Sequence, residues 1–231
     1  MKNSDVFLAT FNRIEKELKT LLIHKDVGFS RAVKILRNSN SLVKRYSDDL
    51  LEFAELRNAI VHNKTDAAYA IAEPHDSIVD NIVNIEKELT KPRIVYSVFA
   101  RKVFTFQENE TVGSLLKIIR EKEFTKFPIY REKVFQGLIT QKGITNWLAN
   151  SIGQLNDDLL ESPLSDVLRY GDKENYKFIS GNSSIYEAVE IFKEQIGNGN
   201  RLEAILITQN GDPTESLVGI ITNWDIMRVN T

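Results

Sequence analysis

The sequence predicts a two-domain α+β protein. An N-terminal four-helix bundle over residues 1–91 precedes two βαββα repeats, over about 92–150 and 160–231, in a pseudo-two-fold pair. Three observations carry this reading. Apolar residues recur at helical spacing through the N-terminal third. Gly137-Leu138-Ile139-Thr140-Gln141-Lys142-Gly143 recurs, with changes, as Gly219-Ile220-Ile221-Thr222-Asn223-Trp224-Asp225. Behind each copy lies a matching helix start, Asn109–Leu116 and Asn182–Val189. At 231 residues the chain exceeds one typical domain and suits two.

The bundle reads as follows. Phe7, Phe11, Ile14, Leu18 and Leu21-Leu22 mark a first helix. A second begins at Phe29 and runs through Ile35-Leu36. A third spans roughly Ser41 to Val61, with Leu50, Phe53, Leu56 and Ile60 on one stripe. A loop holds Asn63-Lys64-Thr65-Asp66. Pro74 precedes a fourth helix with Ile78, Ile82, Ile85 and Leu89 on its apolar face. Lys91-Pro92 ends it, because the residue before proline is pushed out of the helical region. Helices of this length on short loops suit an up-and-down bundle.

In each repeat a hydroxyl opens a helix, Thr111 or Ser184, where it can accept from a first-turn N–H. Helical spacing follows, in Val112, Leu115, Leu116 and Ile119, and in Ile185, Val189 and Phe192. Each helix leads to a short apolar strand, Phe127–Tyr130 or Ala204–Ile207. A turn, a second strand ending in Gly-x-Ile-Thr and a further helix complete the unit. Val112 to Gly137 is 25 positions and Ile185 to Gly219 is 34. The second copy therefore carries extra residues, placed at Gly197–Asn200 and Asp212–Glu215. In the second copy a hydroxyl stands three residues before a carboxylate; in the first that carboxylate is Gly143.

Composition excludes several classes. The formal net charge is -2 and the pI about 6.0. Residues 1–91 hold 14 Lys+Arg against 14 Asp+Glu, and residues 92–231 hold 16 against 18. Neither half is basic, which argues against a nucleic-acid partner. The absence of cysteine rules out disulfides and thiolate metal sites, and three histidines argue against a histidine-based one, so no metal is expected. His24 and His75 fall in loop-like contexts. No secretory segment and no apolar run of about 18 residues is apparent. The chain reads as soluble, cytoplasmic and without membrane contact.

The paired βαββα units resemble CBS domains, and the pair resembles a Bateman module, over about residues 92–231. The resemblance implies a nucleotide site. Asp225 would grip ribose hydroxyls, with Thr222 near the phosphates; a carboxylate suits a diol because it accepts two hydrogen bonds. The base would lie against Lys102-Val103-Phe104 and Phe124-Thr125-Lys126 of the other repeat. Lys126, Arg201 and Arg228 are candidate phosphate partners. A second use of Asp225 is as the N-cap of a final helix at Ile226-Met227-Arg228. Phe104, Phe106, Phe124 and Phe127 suit either core or ligand platform. With Gly143 in place of a carboxylate, the companion site is expected to be weak. No cofactor is required; the candidate ligand is an adenine nucleotide: AMP, ADP, ATP or a cyclic dinucleotide.

Arg57-Asn58-Ala59-Ile60-Val61-His62-Asn63 resembles the Arg-x4-His signature of HEPN domains, helical bundles that often dimerise. Five positions apart, Arg57 and His62 sit about 140° apart on a helix and reach one rim of a groove. Arginine can hold a phosphate and histidine can move a proton, so the resemblance allows a metal-independent ribonuclease with Arg57 and His62 as its catalytic pair. The structural alternative has His62 bonding terminal carbonyls and Arg57 pairing with Glu52 or Glu55. The preferred reading is regulatory: the CBS pair binds an adenine-type nucleotide and alters a helical dimer or a protein partner. The alternatives are a ribonuclease gated by the pair, or an interaction adaptor with an empty pocket. Both resemblances imply a homodimer.

Overall fold

In the computed structural model, residues 2–23, 26–62, 73–152 and 157–228 are described, with His62, Asp157 and Asp158 described by backbone alone. The chain forms two units, Met1–Arg93 and Ile94–Thr231. It is a mixed α+β protein with N-terminal helices ahead of a pair of three-stranded sheets. Among the described residues no helix is long and apolar enough to cross a membrane.

The first unit contains α1 (Asn3–Thr20), α2 (Phe29–Leu36), α3 (Ser41–Arg45), α4 (Ser47–His62) and α5 (Asp76–Thr90). Most of the apolar stripes read from the sequence form its core: Phe7, Ile14, Leu18, Leu50, Ile60, Ile82 and Ile85 are fully buried, whereas Leu56 and Ile78 are half-buried and Leu21 and Ile35, expected on the stripes, are exposed. Phe7 meets Phe53 edge-on at 5.8 Å, and Phe11 stacks on Phe29 at 4.2 Å. The helix expected from Ser41 to Val61 is broken at Tyr46. Asn40 caps the short α3 by accepting from the Val43 N–H at 3.0 Å, while Asp48 and Asp49 start α4 where carboxylates meet the positive end of the helix dipole. Residues 63–66, expected as a loop, lie outside the described residues, as does His24.

The second unit repeats one order twice. Its first copy is α6 (Val95–Phe99), β1 (Phe106–Gln107), α7 (Val112–Lys122), β2 (Lys126–Arg131), β3 (Val134–Thr140) and α8 (Gln141–Asn150). The second is α9 (Leu164–Leu168), β4 (Tyr176–Ser180), α10 (Ile185–Gly197), β5 (Ala204–Thr208), β6 (Gly219–Ile221) and α11 (Asn223–Arg228). In each sheet the first two strands are parallel and the last two antiparallel. The expected caps form: Thr111 accepts from the Ser114 N–H at 3.3 Å, and Ser184 from the Glu187 N–H at 3.1 Å. The extra length of the second copy falls mainly between β5 and β6, where the first copy has only Glu132 and Lys133.

The two copies exchange their leading helices. Val95 and Phe99 of α6 are buried with Ile179, Ile185, Phe192 and Ile221 of the second repeat. Leu164 and Val167 of α9 are buried with Phe106, Leu115, Phe127 and Trp147 of the first. Backbone bonds fix the swap, from the Val95 N–H to Ser183 O at 2.8 Å and from the Leu164 N–H to Glu110 O at 2.9 Å. A third cluster joins the sheets through Leu138, Ala204, Leu206 and Ile220.

Candidate functional site

The exchange of α6 lays the segment after it against the last strand of the other repeat. The Arg101 N–H donates to Val218 O at 3.0 Å, and Ala100 forms a bridge with Gly219. A second wall comes from the turn between α7 and β2, where Glu123 ends the helix in a left-handed conformation (φ 55°). Ile220 and Thr222 close the third side. Together they bound a cleft of about 180 Å³, lined by Arg101–Phe104, Glu123–Lys126, Ile220 and Thr222.

Of the residues singled out in sequence, Lys102, Val103, Phe104, Phe124, Thr125, Lys126 and Thr222 line this cleft. The phenylalanines divide. Phe106 and Phe127 are core, whereas Phe104 and Phe124 pair at 5.2 Å on the cleft wall. Among the described residues, no backbone hydrogen bond engages Lys102, Val103 or Phe104. Backbone groups demand partners, so this edge can accept a ligand.

Asp225 does not line the cleft directly. It is also not an N-cap, because α11 begins at Asn223 and Thr222 holds the preceding position. The carboxylate instead reaches back one turn: Asp225 Oδ2 accepts from the Thr222 N–H at 2.8 Å and from the Thr222 hydroxyl at 2.7 Å. Such a reach from the third helical position satisfies an N–H that the helix leaves unpaired. The same carboxylate holds Arg101 in a fork, Nη1 to Oδ1 at 3.2 Å and Nη2 to Oδ2 at 2.9 Å. Burial pushes the Asp225 carboxyl up, but the bonds from Thr222 and Arg101 outweigh it and hold its pKa below the ordinary value. Asp225 is therefore ionised at neutral pH and is an acceptor only.

The remaining cations are differently placed. Lys126 donates to Glu203 at 3.0 Å, and Arg201 reaches the same carboxylate at 2.6 Å. Glu203 is 9% exposed and sits just before β5. Arg201 and Arg228 do not line the cleft; both are exposed. Sequence reasoning missed Arg101, Glu123, Ile220 and Glu203. Arg101 adjoins Lys102 and was within reach of a scan for charge beside that segment; Glu203 had no local signal.

In the first copy Thr140 accepts from the Gly143 N–H at 3.2 Å. A hydroxyl that donates to a carboxylate in one repeat thus accepts from backbone in the other. A separate cleft near β3, lined by Gln136, Leu138, Asp172 and Tyr176 among others, includes neither Thr140 nor Gly143.

In the bundle, Arg57 lines a cleft of about 320 Å³ with Phe11, Phe29, Arg31 and Asn58. Its Nη1 lies 3.4 Å from Asn58 Oδ1. No ion pair to Glu52 or Glu55 forms among the described residues. The side chain of His62 lies outside them.

A family model described as CBS domain matches residues 95–150 and 164–230. No curated protein matches the chain in sequence. Several solved structures are similar in fold. One is the CBS domain of a CBS domain containing membrane protein from Sphaerobacter thermophilus, at 16% identity and TM-score 0.46, covering 61% of this chain and 90% of that one. Another is the conserved CBS domain protein TA0289 from Thermoplasma acidophilum, at 20% identity and TM-score 0.43, covering 61% and 70%. A third is CBSX2, solved in complex with AMP, at 14% identity and TM-score 0.43, covering 59% and 94%.

Proposed function

The chain belongs to the CBS domain family, and on that premise we propose that its paired repeats form a regulatory module that senses an adenine nucleotide in the cleft between Phe104, Phe124 and Thr222. The observation that carries this is the unpaired backbone of Lys102–Phe104 beside two aromatic rings. An adenine edge offers both donors and acceptors to such a segment, and the rings offer apolar contact to its face. Asp225 is one bond behind the wall, where a ribose diol would need a carboxylate. AMP, ADP, ATP and cyclic dinucleotides share these features.

The test is ribose-specific. AMP is expected to stabilise the full-length protein in a thermal-shift assay, by about 2.7 kcal/mol at 100 times its dissociation constant. By isothermal titration, AMP should bind tighter than 2′,3′-dideoxy-AMP by about 1.5–3 kcal/mol, the range for hydrogen bonds to a charged group. Asp225→Ala should erase that difference. A preference for AMP that survives Asp225→Ala removes Asp225 from the site, and the absence of any shift with any adenine nucleotide removes the reading.

We also read the protein as a homodimer. Trp224 and Met227, three positions apart on α11, are 71% and 75% exposed. Large apolar side chains on one exposed helix face favour burial against a partner. Light scattering should return about twice the 26.4 kDa chain mass; a monomer mass would overturn this.

A further inference from the structure

We propose that Arg101 is a latch on the candidate ribose carboxylate, and that it makes the cleft select phosphorylated adenosine ligands over neutral ones. This rests on the nucleotide reading above and adds a rule of specificity to it.

Asp225 has little acceptor capacity left. Each carboxylate oxygen has about two lone-pair sites. Oδ2 already takes three donors: the Thr222 N–H, the Thr222 hydroxyl and Arg101 Nη2. Oδ1 takes Arg101 Nη1. A ribose diol needs two acceptor positions and finds at most one. Arg101, rather than Asp225, faces the cleft. The cleft measures about 180 Å³, below the roughly 300–1,000 Å³ usual for ligand pockets. A ligand that uses Asp225 must therefore move Arg101 first, and moving it also enlarges the space.

Displacement has a charge consequence. Arg101 has three bonds: two to Asp225 and one from Nη2 to Ile220 O at 2.7 Å. Once the fork leaves Asp225, its charge keeps only a neutral carbonyl. A phosphate supplies the missing anion in the planar two-point geometry that a guanidinium prefers. A neutral nucleoside supplies nothing and must compete with the fork outright. The other cations are less able to substitute. Lys126 and Arg201 are both held by Glu203, and Lys102 is an exposed point charge without a fork. The guanidinium released by the ribose thus becomes the partner of the phosphate on the same ligand.

The experiment compares adenosine with AMP by isothermal titration on full-length wild type, Arg101→Met and Arg101→Lys. The wild type should favour AMP by about a hundredfold, the upper end for charged hydrogen bonds. Arg101→Met, which keeps an apolar stem but no charge, should tighten adenosine about tenfold and weaken AMP about tenfold, so the preference disappears. Arg101→Lys should also tighten adenosine while retaining part of the AMP preference, because the charge stays and the fork is lost. It also guards against a folding defect in the methionine variant. Equal shifts of both ligands in both variants, or an unchanged ratio, overturn the latch while leaving the nucleotide reading intact. Binding of neither ligand to wild type overturns both.

Discussion

Phe99→Ala is expected to destabilise the paired repeats by about 3–5 kcal/mol, the usual cost of removing a buried phenylalanine. Phe99 belongs to the first repeat in sequence but is 7% exposed within the core of the second. Its ring closes the space between Ile179, Ile185, Phe192 and Ile221. The main-chain bonds of α6 to Gly181 and Ser183 do not replace that apolar contact. For a unit of this size the loss should lower the midpoint of thermal unfolding by roughly 10 °C or more. Val98→Ala is the control, since Val98 lies on the same helix at 39% exposure and surface changes usually fall within about 0.5 kcal/mol. A second consequence separates this substitution from an ordinary core defect. Arg101–Phe104 follow α6 directly, so loosening α6 should weaken ligand binding in the cleft beyond the effect of an equally destabilising change in the first repeat, such as Leu115→Ala. Equal midpoints for Phe99→Ala and Val98→Ala would show that α6 does not bind the second repeat.

What could be read from the sequence was local. Gly-x-Ile-Thr marked the ends of β3 and β6 because a strand, a hydroxyl and a helix start follow one another within a few residues. Thr111 and Ser184 marked α7 and α10 for the same reason: a cap and the N–H that donates to it lie three positions apart. The exchange of α6 and α9 was not legible. Both helices are five residues long, too short for an apolar period to show, and nothing local says which sheet a short helix joins. The Arg101–Asp225 fork joins residues 124 positions apart. Asp225 was visible as a carboxylate behind a threonine, but its partner was not. The break at Tyr46 was hidden for another reason. Apolar spacing continues smoothly across it, and only the Asn40 cap and the paired acids Asp48 and Asp49 hint at two helix starts. The cleft followed the same rule: segments contiguous in sequence were nameable, while Glu203, which holds two cations from separate places, was not.

Gly219→Ala should cost about 3 kcal/mol, the upper part of the range for forcing extra volume into a packed interior. A Cβ at Gly219 would stand 2.5 Å from the Phe99 carbonyl oxygen and 2.9 Å from Ile207 Cδ1. The first contact is with backbone, which cannot rotate away as a side chain can. That carbonyl ends α6, and the adjoining Ala100 bridges to Gly219. The methyl group would therefore push the exchanged helix off the sheet, or displace β6 and the Thr222 and Asp225 groups that follow it. Gly137, the matching residue of the first repeat, needs its glycine for a different reason. Its φ is +154°, and the nearest atom to an added Cβ is the mobile tip of Leu168 at 3.1 Å. There conformation is the obstacle; at Gly219 it is space. The repeated glycine that marks both copies thus answers to two constraints, and the second is the one tied to the cleft. Urea denaturation of Gly219→Ala beside Gly197→Ala makes the comparison. Gly197 ends α10 with nothing within 4 Å of an added Cβ, so its substitution should be neutral or stabilising by up to about 1 kcal/mol. If Gly219→Ala unfolds at the wild-type urea midpoint, the close approach of Phe99 to β6 is wrong, and with it the placement of Arg101 against Asp225.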